Sequence, residues 1–309
     1  MTSPAAFIAG DWGTSNLRLA LCDADGRPLE VRKGPGAADS RGKFAETLDG
    51  LATDWRERHG NLPVFLCGMV GSAFGWQEAS YLPCPAEVYE LADALVSPRA
   101  NVHIVPGMKC TNPLGAPDVM RGEETQLLGA VALSGIGAGK ALVCMPGTHT
   151  KWVSIHGDSV QEFLTVPTGE LFALLCEHSV LVRDKTTPVT HQAADFERGL
   201  AESARHPEIP VLHKMFQARS LRLDKQLAPE GAASWMSGLL IGADVDCALR
   251  LFDEESLAGV HIVGTSSLAA AYATALARVG RKAIAVDGEK TAFAGLGYLY
   301  RELDRRKNP

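Results

Sequence analysis

The feature that most limits what this chain can fold into is a local plan that occurs twice. Phe7–Asp11 and Leu17–Asp23 read as short apolar strands joined by the turn Trp12-Gly13-Thr14-Ser15-Asn16. Asp25-Gly26 then turns the chain into a third strand near Leu29–Lys33. The same order returns at Ala141–Met145, the turn Pro146-Gly147-Thr148-His149-Thr150, Lys151–Ile155, the turn Gly157-Asp158 and Val160–Val166. Gly13-Thr14 falls on Gly147-Thr148 when the copies are aligned by their turns. Helical patterns follow each copy: Phe44, Leu48, Leu51 and Trp55 are spaced by four, three and four. Val64–Met69, Val102–Val105, Val260–Gly264 and Ala283–Val286 add strands between helices. Such alternation implies α/β layers with covered sheets. The economical architecture is two related α/β domains facing each other across a cleft.

Length agrees, since 309 residues suit two domains of ordinary size. The Gly-rich stretch 133–140 marks the expected boundary, giving domains 1–136 and 137–309. A last helix near Thr291–Arg306 is able to pack on either. The net charge of -6 counts against nucleic acid or an anionic membrane as partner, because both reward clustered positive charge. No apolar stretch is long enough to span a bilayer, and the N-terminus lacks the pattern of a signal peptide. The seven cysteines are scattered without a C-x-x-C pair, so reduced thiols in a cytoplasmic protein are expected and a zinc site is not. Glycine, 31 of 309 residues, exceeds the usual ~7%, and its members concentrate in the turns.

Those turns carry chemistry. A Gly-Thr turn between strands offers backbone N–H groups and a hydroxyl to phosphate oxygens. Asp11, just before the first turn, is placed to hold Mg²⁺ near the β- and γ-phosphates. Lys151 and His149 stand close enough to the second turn to touch phosphate, and His149 is not expected to act as a base. Gly264-Thr265-Ser266-Ser267 links a strand to a helix and can receive a nucleotide's ribose or adenine. Asp118 and Arg121-Gly122-Glu123-Glu124 open an apolar helix. The acids there either cap its first turn or take the proton of a substrate hydroxyl. Arg121 suits a substrate carboxylate as a bidentate partner. The loop Gly68–Trp76 holds three further glycines; it either seals the core with Trp76 or admits a sugar-like ligand beside Ser72 and the Trp76 ring.

The segments GDWGTSNLR (Gly10–Arg18), GMVGSAFGWQEASYLPCPA (Gly68–Ala86), PDVMRGEETQLLGA (Pro117–Ala130), MPGTHTKWV (Met145–Val153) and PTGELFALLCEHS (Pro167–Ser179) together resemble the 2-dehydro-3-deoxygalactonokinases. The resemblance runs over nearly the whole chain. It implies two actin-like (ribonuclease H-like) domains of the actin, hexokinase and Hsp70 superfamily. It also implies transfer of the ATP γ-phosphoryl group to the 6-hydroxyl of 2-dehydro-3-deoxy-D-galactonate, with ATP and Mg²⁺ bound. On this pattern Asp11, Gly13, Thr14, Ser15 and Asn16 form the first phosphate site. Gly147, Thr148 and Lys151 form the second, Gly264 faces the nucleotide, and Ser72, Trp76, Arg121 and Arg18 face the sugar acid. The base is expected at Glu124, then Glu123, then Asp118. Met145 departs from the superfamily, which often carries an acid there. A kinase for another sugar acid, such as 2-dehydro-3-deoxygluconate, and an exopolyphosphatase-like hydrolase use similar turns. An actin-like filament or nucleotide switch is less favoured, and a homo-oligomer is compatible with the sequence.

Overall fold

A computed structural model describes residues 4–134, 136, 139–182, 191–252 and 259–307. Part of the expected Gly-rich boundary, residues 135, 137 and 138, lies outside them. The chain divides into two compact units. The first comprises Met1–Ala141, Val153–Leu164 and Val286–Pro309; the second comprises Leu142–Trp152 and Thr165–Ala285.

The first unit begins with β1 (Phe7–Trp12), β2 (Asn16–Cys22) and β3 (Pro28–Pro35), an antiparallel meander whose apolar residues alternate into the core. Helix α1 (Phe44–His59) buries Phe44, Leu48 and Trp55, the four-three-four stripe of the sequence. Next come β4 (Val64–Gly68), β5 (Tyr81–Pro83), β6 (Ala86–Glu87), β7 (Val96–Arg99), β8 (Val102–Ile104), β9 (Gly107–Thr111) and β10 (Pro117–Met120), and then α2 (Glu123–Ser134). The main sheet runs β3-β2-β1-β4-β8-β7, with β1, β4 and β8 parallel. Ile8, Trp12, Leu17, Leu19, Leu48, Trp55 and Leu66 form its buried core. A second, three-stranded sheet of order β10-β9-β5 was not expected from sequence. It also corrects the placement of Asp118, which lies on β10 rather than at the opening of a helix.

The plan then repeats with β11 (Lys140–Met145), β12 (Thr150–His156) and β13 (Ser159–Val166). The rest of the second unit is mostly helical: α3 (Thr168–His178), α4 (Ala193–Ala204), α5 (Val211–Lys214), α6 (Gln217–Leu223), α7 (Ala232–Phe252) and α8 (Ser266–Arg278). Strand β14 (Val260–Gly264) pairs in parallel with β11, and β15 (Ala283–Asp287) lies beside β14. The final helix, α9 (Gly288–Lys307), packs in the first unit against α2, β1 and β4. Glycines bring α2 and α9 to backbone contact. A Cβ at Gly129 would overlap the Thr291 carbonyl, and one at Gly295 would overlap the Thr125 carbonyl. The architecture is α/β with a duplicated strand–turn–strand core.

Candidate active site

In the first unit, strand register sets the neighbours of Asp11. Arg18 lies opposite it on β2 and Cys67 lies opposite it on β4. The Cys67 thiol lies 4.0 Å from Asp11 Oδ1. Burial raises the Asp11 carboxyl above the usual range; Arg18 opposes the shift and Glu123 adds to it. Asp11 therefore ends a buried parallel strand, where open α/β sheets present ligands. The following turn is closed by the Gly13 N–H donating to Asn16 O at 2.9 Å. Its carbonyls are occupied: Gly13 O accepts the Ala37 N–H and Thr14 O accepts the Ala38 N–H. Gly36 makes that approach possible, since a Cβ there would overlap Thr14 O. Thr14, Ser15 and Asn16 keep their side chains exposed.

Helix α2 begins beside this turn with two acids that satisfy backbone N–H groups. Glu123 Oε2 accepts the Arg121 N–H at 3.0 Å. Glu124 Oε2 accepts the Gly122 N–H at 2.6 Å and its Oε1 accepts the Thr125 hydroxyl at 2.9 Å. Glu124 has no exposed surface, and burial, reinforced by Glu123, pushes its carboxyl up from the usual 4.5 to about 8. Glu123 is half-buried. Asp118 instead bonds locally, to Asn112 Nδ2 at 3.3 Å and to the Val119 N–H.

Arg121 lies with its guanidinium 4.3 Å from the Tyr81 ring centre, a cation–π distance. Its Nη2 donates to Ala79 O at 2.7 Å and its Nε to the Tyr81 hydroxyl at 3.4 Å. Nη1 is buried and has no hydrogen-bond partner. It faces Gly71, where a Cβ would stand 2.9 Å away. In the adjoining loop, Ser72 is half-buried, and the Trp76 ring packs on the core with Arg99 5.3 Å from its centre. Arg18 is turned to α9, 3.3 Å from Glu289 O and 5.1 Å from the Phe293 ring centre.

The second unit closes its turn with a helix. Thr148 O accepts the Glu170 N–H at 2.9 Å, and His149 Nε2 lies 2.8 Å from Glu170 Oε2. Gly169 stands where Gly36 stands in the first unit, and a Cβ there would overlap Gly147 O. Gly264 borders the same turn, 3.3 Å from Pro146 as measured from an added Cβ. Lys151 is buried, with only 5% exposure. A cavity of about 90 Å³ opens beside Gly147, walled by Thr168, Gly169, Phe172, Leu240, Leu268 and Tyr272 among others. Sequence reasoning missed Gly36, Gly169, Tyr81, Thr168, Tyr272 and Asp244. A signal existed for the glycines, because Pro35-Gly36 and Pro167-Thr168-Gly169 end the third strand of each copy.

Comparisons with known proteins agree with this geometry. The family model 2-keto-3-deoxy-galactonokinase matches residues 11–299. The 2-dehydro-3-deoxygalactonokinase of Escherichia coli (strain K12) is 39% identical, over 94% of this chain and 96% of its own. A Rhizobium meliloti (strain 1021) protein assigned the same activity is 37% identical over 98% and 99% of the two chains. A crystal structure of a Sinorhizobium meliloti protein assigned that activity superposes with TM-score 0.85 at 36% identity, covering 96% of each chain. At the level of fold alone, the activator of the 2-hydroxyisocaproyl-CoA dehydratase from Clostridium difficile, solved with bound ADPNP, gives TM-score 0.54 at 10% identity, over 98% of this chain and 97% of its own. Matched over nearly its whole length by the family model and by both relatives, the chain belongs to the 2-keto-3-deoxy-galactonokinase family.

Proposed function

We propose that this protein transfers the γ-phosphoryl group of ATP to the 6-hydroxyl of 2-dehydro-3-deoxy-D-galactonate. Its family makes it an ATP-dependent sugar-acid kinase of galactonate catabolism. The observation that carries the substrate class is the buried Arg121 Nη1 without a protein partner. A guanidinium nitrogen desolvated without an acceptor is costly, and a substrate carboxylate removes that cost. Gly71 leaves the space for it.

Access decides between the two acids of α2. A raised pKa is a common mark of a catalytic carboxyl, which favours Glu124. A base must also reach its proton, and Glu124 is fully buried with both oxygens engaged. Glu123, half-buried in the same helical turn, takes the proton of the 6-hydroxyl, and Glu124 caps the helix. This reverses the order expected from sequence.

Asp11 fits Mg²⁺. Among the described residues no cluster of three metal-ligating side chains exists, and Mg²⁺ at a phosphate site needs only one or two carboxylates, its other ligands being phosphates and waters. Bound there, Mg²⁺ neutralises charge on the transferring phosphoryl group. The first turn contributes Gly13, Thr14, Ser15 and Asn16 to phosphate. Gly147 and Thr148 hold phosphate in the second unit, and the apolar cavity beside Gly147 receives the nucleoside, with Gly264 and Leu268 at its edge.

The test is ADP release in a coupled assay across a panel of sugar acids. Glu123→Gln is expected to lower kcat by about 10²–10⁴ while ADP still binds. Turnover near that of the unaltered enzyme in Glu123→Gln eliminates this base, and ADP release without an acceptor replaces the kinase reading with a hydrolase.

A further inference from the structure

Asp244 is a buried acid that no step above uses. It lies on α7, one helical turn beyond Leu240 and Ile241, which line the cavity beside Gly147. It is 6% exposed, and its carboxylate takes three hydrogen bonds. Oδ1 accepts the Trp152 Nε1–H at 2.8 Å. Oδ2 accepts the Thr168 hydroxyl at 2.7 Å and the Tyr272 hydroxyl at 2.6 Å. The single Tyr272 hydroxyl hydrogen is spent on Asp244, so Thr150, 3.0 Å away, donates to the Tyr272 oxygen. Trp152, Thr150 and Tyr272 are each 2% exposed or less, so the whole network is dry.

The four donors come from elements that frame the second turn. Thr150 and Trp152 lie on β12 just after it. Thr168 precedes Gly169 and Glu170, the two residues that close on Gly147 and Thr148. Thr168 and Tyr272 are themselves cavity walls. A core that needed only stability would be served by apolar side chains of the same volume. A carboxylate instead fixes the directions of three donors at once.

We infer that Asp244 is a positioning residue for the nucleotide: it locks Thr168, Tyr272 and Trp152 so that the second turn and the cavity beside it are preformed for a nucleoside diphosphate moiety. This rests on the reading that the second unit holds the nucleotide. Loss of the lock lets α3's first turn drift from Gly147, which weakens nucleotide binding and leaves the sugar-acid site of the first unit untouched.

Calorimetric titration with ADP, alongside steady-state kinetics, tests this on Asp244→Asn, Tyr272→Phe, the double variant and Gly147→Val. Each single variant of the network is expected to weaken ADP about tenfold, short of the ~10²-fold that a 1 Å misplacement can cost. The KM for the sugar acid and kcat at saturating ATP stay within about threefold. The double variant weakens ADP little beyond the stronger single one, as expected for partners in one network. Tyr272→Phe keeps the ring volume, so it carries the test if Asp244→Asn does not fold. ADP affinity close to that of the unaltered enzyme in the folded network variants, with binding lost in Gly147→Val, overturns the role of Asp244 and leaves a structural one. ADP binding undiminished in Gly147→Val overturns the nucleotide reading beneath it.

Discussion

The two Gly-Thr turns share a backbone plan but differ in what stands behind them. Both follow a buried strand, both are overlaid by a glycine from the end of the third strand, and both have a carbonyl capped by the N–H that follows that glycine. Behind the first turn stands Asp11, a carboxylate open to a cation. At the matching place behind the second stands Met145, apolar and 3% exposed. The second unit's nearby acid, Asp244, is instead buried and saturated by three donors. Duplication thus supplied one scaffold twice, and the copies divided the work. One half kept the reactive charge, and the other turned its polar groups inward to hold a shape.

The sharpest way to break that division is through charge in the first unit. Arg121→Lys removes the planar fork and is expected to raise the KM for the sugar acid about 10- to 100-fold, the range for losing a hydrogen bond to a charged group. ADP affinity in a binding titration stays unchanged. An equal loss of ADP affinity would show that the halves are not separable in this way.

The paired glycines give a smaller, symmetric probe. Gly36→Ala and Gly169→Ala each force a backbone contact apart, at about 1–3 kcal/mol for an overpacked site. Thermal melts should register both. Kinetics should separate them, with Gly36→Ala lowering kcat and Gly169→Ala chiefly raising the KM for ATP. Matching kinetic defects would mean that the two turns do the same job.

The smallest effect is on stability against pH. Glu124 keeps its proton in the folded protein up to about 8, whereas the unfolded chain ionises near 4.5. Between those values the unfolded state binds fewer protons, so this group's contribution to stability falls as pH rises and levels off above about 8. Glu124→Gln removes the contribution, and its Tm should decline less across that window than that of the unaltered protein. A decline of equal slope in both would remove Glu124 as its source.

Local features were the legible ones. The strands of the duplicated core follow from short apolar runs bounded by Gly turns, and α1 follows from the spacing of Phe44, Leu48 and Trp55. The first turn, Asp11 and the acids of α2 were found because each announces itself within a few residues. Asp118 was misplaced because β10 is four residues long and has no clear alternation, so it resembled a helix lead-in. Tyr81 and Asp244 were missed for a different reason. Tyr81 matters only because the chain brings it under Arg121, and Asp244 because three donors from distant segments converge on it. Convergence of that kind leaves no periodic mark in a sequence. The choice between Glu123 and Glu124 was likewise out of reach, since adjacent residues of one type differ only in the direction the helix gives them.

The backbone contact between α2 and α9 has a consequence for how the enzyme is made. Gly129 and Gly295 let α9 seat directly on the helix whose first turn carries Glu123. On the ribosome, α2 emerges long before α9, and until Gly288–Lys307 has followed, the helix bearing the proposed base lacks the surface that fixes it. A nascent or truncated chain ending before Gly288 would contain both phosphate turns and still be inactive. Partly synthesised copies therefore cannot spend ATP, and phosphoryl transfer begins only once this late segment has docked.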